Sequence, residues 1–335
     1  MSCSNLNKCF LFSQRNIDSY QPISKIDEGS YGIVYKAQDK ITGETVAIKK
    51  IKLSQTSTSD FPITSIREIN ILFSLSHQNI LKYHIISYGN SYSKIYTVME
   101  YVDYELKNLL LIQKFNFSTF NIKSIIFQLL SAVSYMHNNW VIHRDIKPSN
   151  ILLSKDGIIK LGDFGLARKY SSPLGRYTPL VVTLWYRAPE LLLNMATYGS
   201  GIDIWSIGCI LGELVLNKPI FQGESEIDQL NKIFSVVGTI NDKIWPNWKN
   251  YTTNKNITRI IFKENQIKID EIFEKNDKID KNGIDLLKKM LEINPSKRIS
   301  AQDALKHPWF IEENDYETKL SKLTMIEINK NCTSK

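Results

Sequence analysis

The stretch HRDIKPSN, residues 143–150, places a histidine, two cationic side chains, a carboxylate and an amide within eight positions. It is flanked by the apolar runs WVI, residues 140–142, and ILL, residues 151–153. A structural loop beside buried strands rarely carries so many polar groups, because each is costly to remove from water unless it is paired. The stretch therefore predicts a loop with a chemical role.

Two side chains of this loop and one aspartate beyond it indicate metal binding and proton transfer. Asp145 and Asn150 lie five residues apart, and Asp163, in the triplet DFG, follows Asp145 by eighteen. An asparagine and an aspartate supply the hard oxygen ligands that Mg²⁺ prefers. Asp145 is then available to accept a proton from a substrate.

Two further motifs precede the loop, and each is ambiguous alone. EGSYGIV, residues 28–34, places Gly29 and Gly32 in a hairpin where backbone amides can approach phosphates, although taken alone the stretch is better explained by an ordinary glycine turn. VAIKK, residues 46–50, places Lys49 on a strand, either with its ammonium group in solvent or held over a polyanion.

In their order along the chain, the four motifs resemble the protein-kinase signature, over about residues 20–311. The resemblance implies an α+β, bilobal fold with ATP in the cleft between a small β-sheet lobe with one helix and a larger, mainly α-helical lobe. The implied organisation is an N-terminal extension at 1–19, an N-lobe at 20–101, a C-lobe at 102–311 and a C-terminal tail at 312–335.

The same resemblance implies roles for individual residues. Lys49 holds the α- and β-phosphates, Asn150 and Asp163 bind Mg²⁺, and Asp145 orients the substrate hydroxyl and takes its proton. Lys147 matches the pattern of serine/threonine kinases, the hinge lies near residues 100–103, and Met99 stands at the back of the pocket. The implied nucleotide contacts are Ile26, Asp27, Glu28, Gly29, Ser30, Tyr31, Gly32, Val34, Ala47, Lys49, Met99, Glu100, Val102, Glu105, Asn150, Leu152 and Asp163.

One position departs from the family pattern. The usual glycine-rich loop opens with a glycine where this chain has Asp27, which puts a negative side chain near the phosphates. Gly29 and Gly32 are retained, so we expect a modest effect on ATP affinity and no loss of binding.

The stretch FPITSIREIN, residues 61–70, predicts a helix with two apolar faces within residues 62–76. On a helical wheel, Ile71, Leu72 and Leu75 share a face with Glu68, which suits packing on the N-lobe. A carboxylate on that face needs a cation, and the resemblance names Lys49 as its partner.

The second apolar face of this helix requires a different cover, because the small sheet cannot bury both. Ile66, Ile69 and Phe73 form it. The heptad PITSIRE, residues 62–68, resembles the signature helix of cyclin-dependent kinases and differs by one Leu-to-Ile exchange from that of the PITSLRE branch. In that family a cyclin covers this face and turns the glutamate inward.

Three arginines occupy positions that in the family converge on one phosphorylated threonine. Arg67 precedes Glu68, Arg144 precedes Asp145, and Arg168 ends GLAR, residues 165–168. Thr178 occupies the position of that threonine, so we expect an upstream activating kinase to phosphorylate it.

Further family positions concern specificity and inhibition. Val182 and Arg187 match the pocket that favours proline directly after the target hydroxyl. Ser30 and Tyr31 match inhibitory phosphorylation sites of the glycine-rich loop, although plain loop residues explain them equally well.

Composition narrows the class of protein without deciding it. The net charge of +8 is spread as scattered lysines and arginines, which argues against direct nucleic-acid binding. Of four cysteines, three lie near the ends of the chain, which fits a reducing compartment. The apolar stretch at 202–216 is shorter than a membrane span and predicts a buried helix, and the N-terminus predicts no signal peptide.

The sequence therefore predicts a cyclin-dependent, proline-directed serine/threonine kinase, intracellular in the nucleus or cytoplasm, or both, and tied by its branch to transcription and the cell cycle. Its partners would be a cyclin and protein substrates, with no nucleic acid or membrane. A catalytically inactive scaffold is the first alternative. The presence of Lys49, Asp145, Asn150 and Asp163 argues against it. A cyclin-independent mitogen-activated-type kinase is the second, and it expects a Thr-x-Tyr pair, whereas Tyr177 directly precedes Thr178 here.

Overall fold

The structure is a computed structural model of the chain. It describes residues 15–29, 32–51, 71, 74–88, 95–170, 183–195, 197–253, 259–260, 262–311, 320 and 322–333. These residues divide into two compact units. The sheet unit comprises residues up to 103 except 77–79, and the helical unit comprises residues 77–79 and those from 104 onward.

The sheet unit is built on a five-stranded antiparallel sheet with the order β1-β2-β3-β5-β4. The predicted turn KITGE joins β2 to β3, where Gly43 has a φ of 75° that suits glycine. The buried core of the sheet contains Tyr20, Ala37, Val46, Ile48 and Val98. The strands are β1 (Tyr20–Gly29), β2 (Gly32–Asp39), β3 (Thr45–Ile51), β4 (Tyr83–Tyr88) and β5 (Ile95–Glu100).

An ion pair fastens the residues before the sheet to the β2–β3 turn. The Arg15 guanidinium donates to both carboxylate oxygens of Asp39, at 2.9 and 2.7 Å. Asp39 also accepts the backbone amides of Ile41 and Thr42. The hydrogen bonds from Arg15 lower the pKa of Asp39 to about 2. Part of the predicted extension is thereby attached to the sheet.

One helix of the helical unit buries an apolar stripe of helical periodicity. The stripe Ile122, Ile125, Ile126, Leu129, Val133 and Met136 is fully buried in helix α2. The apolar stretch at 202–216 is a buried helix, as predicted. The helices are α1 (Leu106–Leu111), α2 (Thr119–Asn138), α3 (Pro189–Leu192), α4 (Gly201–Leu216), α5 (Glu226–Val237), α6 (Trp248–Tyr251), α7 (Ile269–Phe273), α8 (Lys281–Met290), α9 (Ala301–Ala304), α10 (Pro308–Ile311) and α11 (Lys322–Thr333).

Two small sheets occur inside the helical unit, where periodicity alone indicated helices. One has the order β6-β8-β9, from β6 (Tyr104–Glu105), β8 (Ile151–Leu153) and β9 (Ile159–Leu161). The other pairs β7 (Val141–Ile142) with β10 (Arg168–Lys169). The runs of two and three residues are too short for a period to appear in the sequence. They hold both ends of the polar loop at 143–150.

The segment predicted to be a polar tail contains helix α11, of which Met325 and Ile328 are buried. In the described part of the chain, no helix combines the length and apolar character needed to cross a membrane.

Candidate active site

A single buried carboxylate supports the start of the loop at 143–150. Asp203, in α4, is 1% exposed and accepts the backbone amides of His143 and Arg144 at 3.0 and 2.9 Å. His137 Nε2, at the end of α2, lies 2.9 Å from the same carboxylate. Burial acts to raise the pKa of Asp203, but the hydrogen bond from His137 and the other partners outweigh it and lower the pKa. Asp203 therefore remains charged and fixes the loop backbone.

His143 connects this loop to the DFG triplet. Its imidazole is fully buried, and Nε2 lies 2.9 Å from the carbonyl oxygen of Gly162, while Nδ1 accepts the amide of Asp145. Because a carbonyl only accepts, Nε2 carries the proton. The ring also packs edge-on against Phe164, with centroids 4.8 Å apart. His143 thus sets the backbone on both sides of the predicted chemistry.

The candidate base lies among the polar side chains that its motif predicted. Asp145 Oδ2 accepts Lys147 Nζ at 2.8 Å and Asn150 Nδ2 at 3.1 Å. Asn150 Nδ2 also donates to the carbonyl oxygen of Asp145 at 2.7 Å. Because the nitrogen of the Asn150 amide makes these bonds, its oxygen is the atom offered to a cation.

Asp163 has a left-handed backbone, with φ 53° and ψ 75°. Such a conformation costs on the order of 1–3 kcal/mol away from glycine and persists only where the surroundings impose it. The surroundings are in place here, because the amide of Gly162 donates to the carbonyl oxygen of Asn150 at 2.9 Å. This hydrogen bond joins the backbone of Asn150 to the residue directly before Asp163, and so links the two predicted metal ligands.

The donor set of Asn150 and Asp163 fits Mg²⁺. That ion binds proteins through one or two carboxylates and keeps its other positions for water and phosphate oxygens. Across the described residues, no group of three or more histidine, cysteine or carboxylate side chains could hold a metal by itself.

The three-stranded sheet positions two predicted nucleotide contacts of the helical unit. Glu105 pairs with Leu152 across β6 and β8, and Leu152 pairs with Lys160 across β8 and β9. Glu105 Oε2 also accepts Asn108 Nδ2 at 3.1 Å. Both predicted nucleotide contacts therefore lie on one small sheet, and Asn150 directly precedes its strand β8.

In the sheet unit, Lys49 lies in the middle of β3, paired with Val34 of β2 and Thr97 of β5. Ala47 pairs with Met99, and both are buried. The other predicted nucleotide contacts in the described part of this unit are Ile26, Asp27, Glu28 and Gly29 in β1, Gly32 in β2, Glu100 in β5 and Val102 directly after it.

Gly32 is required by its surroundings. Its φ is 151°, and an added Cβ would lie 2.2 Å from the backbone oxygen of Lys50. The close approach of β2 and β3 therefore explains this glycine without a ligand.

Two of the three predicted phosphate-binding arginines lie in the described part of the chain. Arg144 Nη1 donates to the carbonyl oxygen of Leu166 at 3.2 Å. Arg168 pairs with Ile142, two residues before Arg144, across β7 and β10. The third arginine, Arg67, and the expected phosphorylation site, Thr178, lie outside the described residues.

The predicted proline pocket is described in part. Arg187 Nη1 lies 3.6 Å from Glu226 Oε1. Burial lowers the pKa of Arg187, although the carboxylates of Glu226 and Asp145 oppose this shift. Val182 lies outside the described residues.

The predicted helix at 62–76 is described only near its end. Ile71 and Leu75, assigned to the inward face, are 4% and 8% exposed. Its remaining predicted residues, and the two candidate inhibitory sites, lie outside the described part of the chain. They are Ile66, Glu68, Ile69, Leu72, Phe73, Ser30 and Tyr31.

A second buried carboxylate of α4 supports the segment between the two residues of the predicted proline pocket. Tyr186 donates its hydroxyl to Glu213 Oε2 at 2.7 Å, and Ser206 Oγ donates to the carbonyl oxygen of Tyr186. Glu213 is 2% exposed, and burial raises its pKa to about 7, although the Tyr186 bond opposes the shift.

This shift predicts a pH-dependent stability. Between pH 4.5, the ordinary pKa of glutamate, and about 7, Glu213 is protonated in the folded state and ionised in the unfolded state. The folded state binds more protons there, so stability falls as pH rises through this window, by about 2–3 kcal/mol. We expect Glu213→Gln to reduce the difference in the free energy of unfolding between pH 5 and pH 8, measured by urea denaturation. Glu271→Gln, at an exposed glutamate, serves as the control. If the free energy of unfolding of Glu213→Gln changed with pH as it does in the wild type, Glu213 would not be the group responsible.

Sequence reasoning missed the anchoring roles of Asp203 and Glu213. Both appeared only as acidic residues within an apolar helix. That pattern carried a usable signal, because a carboxylate in a fully buried helix requires partners.

Comparisons with known proteins show which family this chain resembles. A family model described as "Protein kinase domain" matches residues 20–310. The chain is 47% identical over 298 residues to Cyclin-dependent kinase 11B of Mus musculus, covering 89% of this chain and 37% of the relative. Over the same length it is 46% identical to Cyclin-dependent kinase 11B of Rattus norvegicus, covering 89% and 67%. It is 45% identical over 300 residues to Cyclin-dependent kinase G-2 of Oryza sativa subsp. indica, covering 89% and 42%. The chain thus spans well under half of the mouse relative.

Proposed function

The chain belongs to the protein kinase family, in its cyclin-dependent branch, and from this premise we propose that it transfers the γ-phosphoryl group of ATP to serine or threonine in proteins. The observation that carries the proposal is the arrangement around Asp145. Its carboxylate contacts Lys147 and Asn150, its loop is held by the buried Asp203, and His143 ties that loop to the backbone before Asp163.

In the proposed mechanism, Asp145 accepts a hydrogen bond from the substrate hydroxyl and takes its proton as the oxygen attacks the γ-phosphorus. The bond from the γ-phosphorus to the β,γ-bridging oxygen breaks, and ADP leaves with that oxygen. Lys147, at 2.8 Å, holds the carboxylate and offers positive charge to the transferring group. Lys49 contacts the α- and β-phosphates as a point charge. Positioning and electrostatic stabilisation supply most of the rate in this class of reaction.

Asn150 and Asp163 would hold Mg²⁺, which neutralises charge on the phosphates when bound. The backbone bond between Gly162 and Asn150 keeps these two residues in register. Ala47, Met99 and Val102 of the sheet unit and Glu105 and Leu152 of the helical unit are proposed as nucleotide contacts. Gly29 and Gly32 would allow the glycine-rich loop to approach the phosphates, with Asp27 lowering ATP affinity modestly.

Activation is proposed to require a cyclin and phosphorylation of Thr178 by another kinase. The cyclin would cover Ile66, Ile69 and Phe73 and bring Glu68 to Lys49. Arg67, Arg144 and Arg168 would then bind the phosphate on Thr178. Arg168 pairs with Ile142, two residues before Arg144, and this proximity of the two backbones supports the proposed convergence.

Substrates are proposed to carry proline after the target hydroxyl, received by Val182 and Arg187. Partners would be a cyclin, an upstream activating kinase and protein substrates in the nucleus or cytoplasm. An inactive scaffold is disfavoured because Lys49, Asp145, Asn150 and Asp163 are all present. The order Tyr177-Thr178 disfavours a mitogen-activated-type kinase.

The test measures ³²P transfer from labelled ATP to Ser-Pro and Ser-Ala peptides, with the full chain co-purified from its own cells with whatever cyclin it binds. We expect transfer that depends on the cyclin and Mg²⁺, prefers Ser-Pro, and falls by on the order of 10- to 100-fold in Thr178→Ala. No transfer in the presence of the cyclin would favour the scaffold. Full transfer after the cyclin is removed would favour the cyclin-independent class.

A further inference from the structure

The C-terminal segment, residues 320–333, contacts the small sheet that carries Glu105 and Leu152. We propose that this segment positions the nucleotide contacts of the helical unit, acting through Tyr104 of β6 and through the turn between β8 and β9. The inference rests on the proposed function, because it concerns how tightly that site binds ATP.

The first contact is at the turn between β8 and β9. The amide of Leu320 donates to the carbonyl oxygen of Gly157 at 2.9 Å, and Leu320 is 2% exposed. Gly157 has a φ of 78°, and a Cβ there would lie 2.4 Å from the Leu320 backbone oxygen. Gln128 Nε2 donates to the same Gly157 oxygen at 3.3 Å. The turn is therefore held between α2 and the C-terminal segment, at contact distances that only glycine permits.

The second contact attaches the helix to the start of α2. Thr324 Oγ1 donates to Asn121 Oδ1 at 3.1 Å, and both residues are buried. Met325 and Ile328, at 4% and 0% exposed, share the buried side, while Ile326 is 48% exposed. This amphipathic burial indicates that the helix packs on the unit through a defined face.

The third contact reaches the strand next to the proposed nucleotide contacts. The Tyr104 hydroxyl donates to Asn329 Oδ1 of α11. Tyr104 pairs with Leu153, and the next residue, Glu105, pairs with Leu152. One segment thus contacts β6 directly and, through Gly157, the turn that ends β8.

These contacts are expected to act on binding and not on the transfer step. They are made with β6 and the turn between β8 and β9, whereas Asp145, Lys147 and Asn150 are joined by hydrogen bonds of their own loop, which Asp203 supports. Loosening the sheet would let Glu105 and Leu152 sample positions unsuited to the nucleotide, so part of the binding energy would go to ordering them. The expected signature is a raised KM for ATP with kcat retained. A merely structural segment would instead lower the active fraction, which reduces kcat and leaves KM unchanged.

The experiment compares Ile328→Asp with Ile326→Asp in the full chain bound to its cyclin. A carboxylate at the buried position 328 is incompatible with packing, whereas the same change at 326 remains in solvent. We expect Ile328→Asp to raise KM for ATP about 5- to 20-fold with kcat within about twofold, and Ile326→Asp to change neither. The Kd of a non-hydrolysable ATP analogue, measured by calorimetry, should rise by the same factor. This readout needs no catalysis, so it separates failure of this inference from failure of the proposed activity.

A milder variant covers the case in which Ile328→Asp fails to fold. Tyr104→Phe removes only the hydroxyl that binds Asn329, and the loss of one hydrogen bond should raise KM for ATP about 2- to 5-fold. Tyr251→Phe, at a half-exposed tyrosine of α6, is the matched control and should leave KM unchanged. An unchanged KM and Kd in Ile328→Asp, or in Tyr104→Phe if the former does not fold, would overturn the proposal. A fall in kcat alone would also overturn it.

Discussion

Asp145→Asn is expected to lower kcat for phosphoryl transfer by on the order of 10³-fold while KM for ATP stays within about twofold. The amide matches the carboxylate in shape but cannot take a proton. Both side-chain contacts of Asp145, from Lys147 and Asn150, go to the same oxygen, Oδ2. The oxygen of an asparagine amide can accept both, so the loop should keep its conformation.

The measurement is steady-state transfer from ATP to a Ser-Pro peptide, with analogue binding by calorimetry as a check on the site. Asp277→Asn, the same change at an exposed aspartate between α7 and α8, is the control and should keep full activity. Retention of more than about a tenth of wild-type kcat in Asp145→Asn would contradict the role of base. A matching loss of analogue affinity would point to a collapsed loop instead.

The catalytic loop could be predicted because its chemistry is local. Asp145, Lys147 and Asn150 lie within six residues, so a motif records them together, and the structure joins them by direct hydrogen bonds. The stripe of α2 could be predicted for a related reason, since 3.6-residue periodicity over 20 residues is a strong signal.

The parts of the fold and site that could not be predicted depend on contacts between residues that are distant in sequence. Asp203 binds a loop about 60 residues before it, and no spacing rule connects them. The C-terminal helix has only a few apolar side chains, so its burial depends on the surface at Asn121, Gly157 and Tyr104. Short strands such as β6 and β7 exist because their neighbours pair with them, a tertiary effect that propensity does not record.

A buried ion pair of the helical unit joins three segments. Arg298 donates to both carboxylate oxygens of Glu190 at 2.6 and 3.0 Å. Its other donors reach the carbonyl oxygens of Glu292, Gly201 and Ile293. Gly201 begins α4, the helix that carries Asp203, so the pair also supports the helix on which the catalytic loop depends.

Arg298→Met is therefore expected to lower the free energy of unfolding by about 3–5 kcal/mol, because it leaves the Glu190 carboxylate buried without its counter-charge. Chemical denaturation of the full chain measures the change. Lys288→Met is the matched control: the Lys288–Asp270 pair is 38% and 45% exposed, and its loss should cost at most about 1 kcal/mol.

The double variant Glu190→Leu/Arg298→Met separates the two sources of that loss. Removing both charges removes the uncompensated carboxylate, so the double variant should recover part of the stability that Arg298→Met loses. A double variant no more stable than Arg298→Met would mean that the uncompensated carboxylate is not the source of the loss, which would then come from the bonds that Arg298 donates to the carbonyl oxygens of Gly201 and Glu292. In that case the start of α4 would depend on the guanidinium alone, and activity should fall in both variants alike.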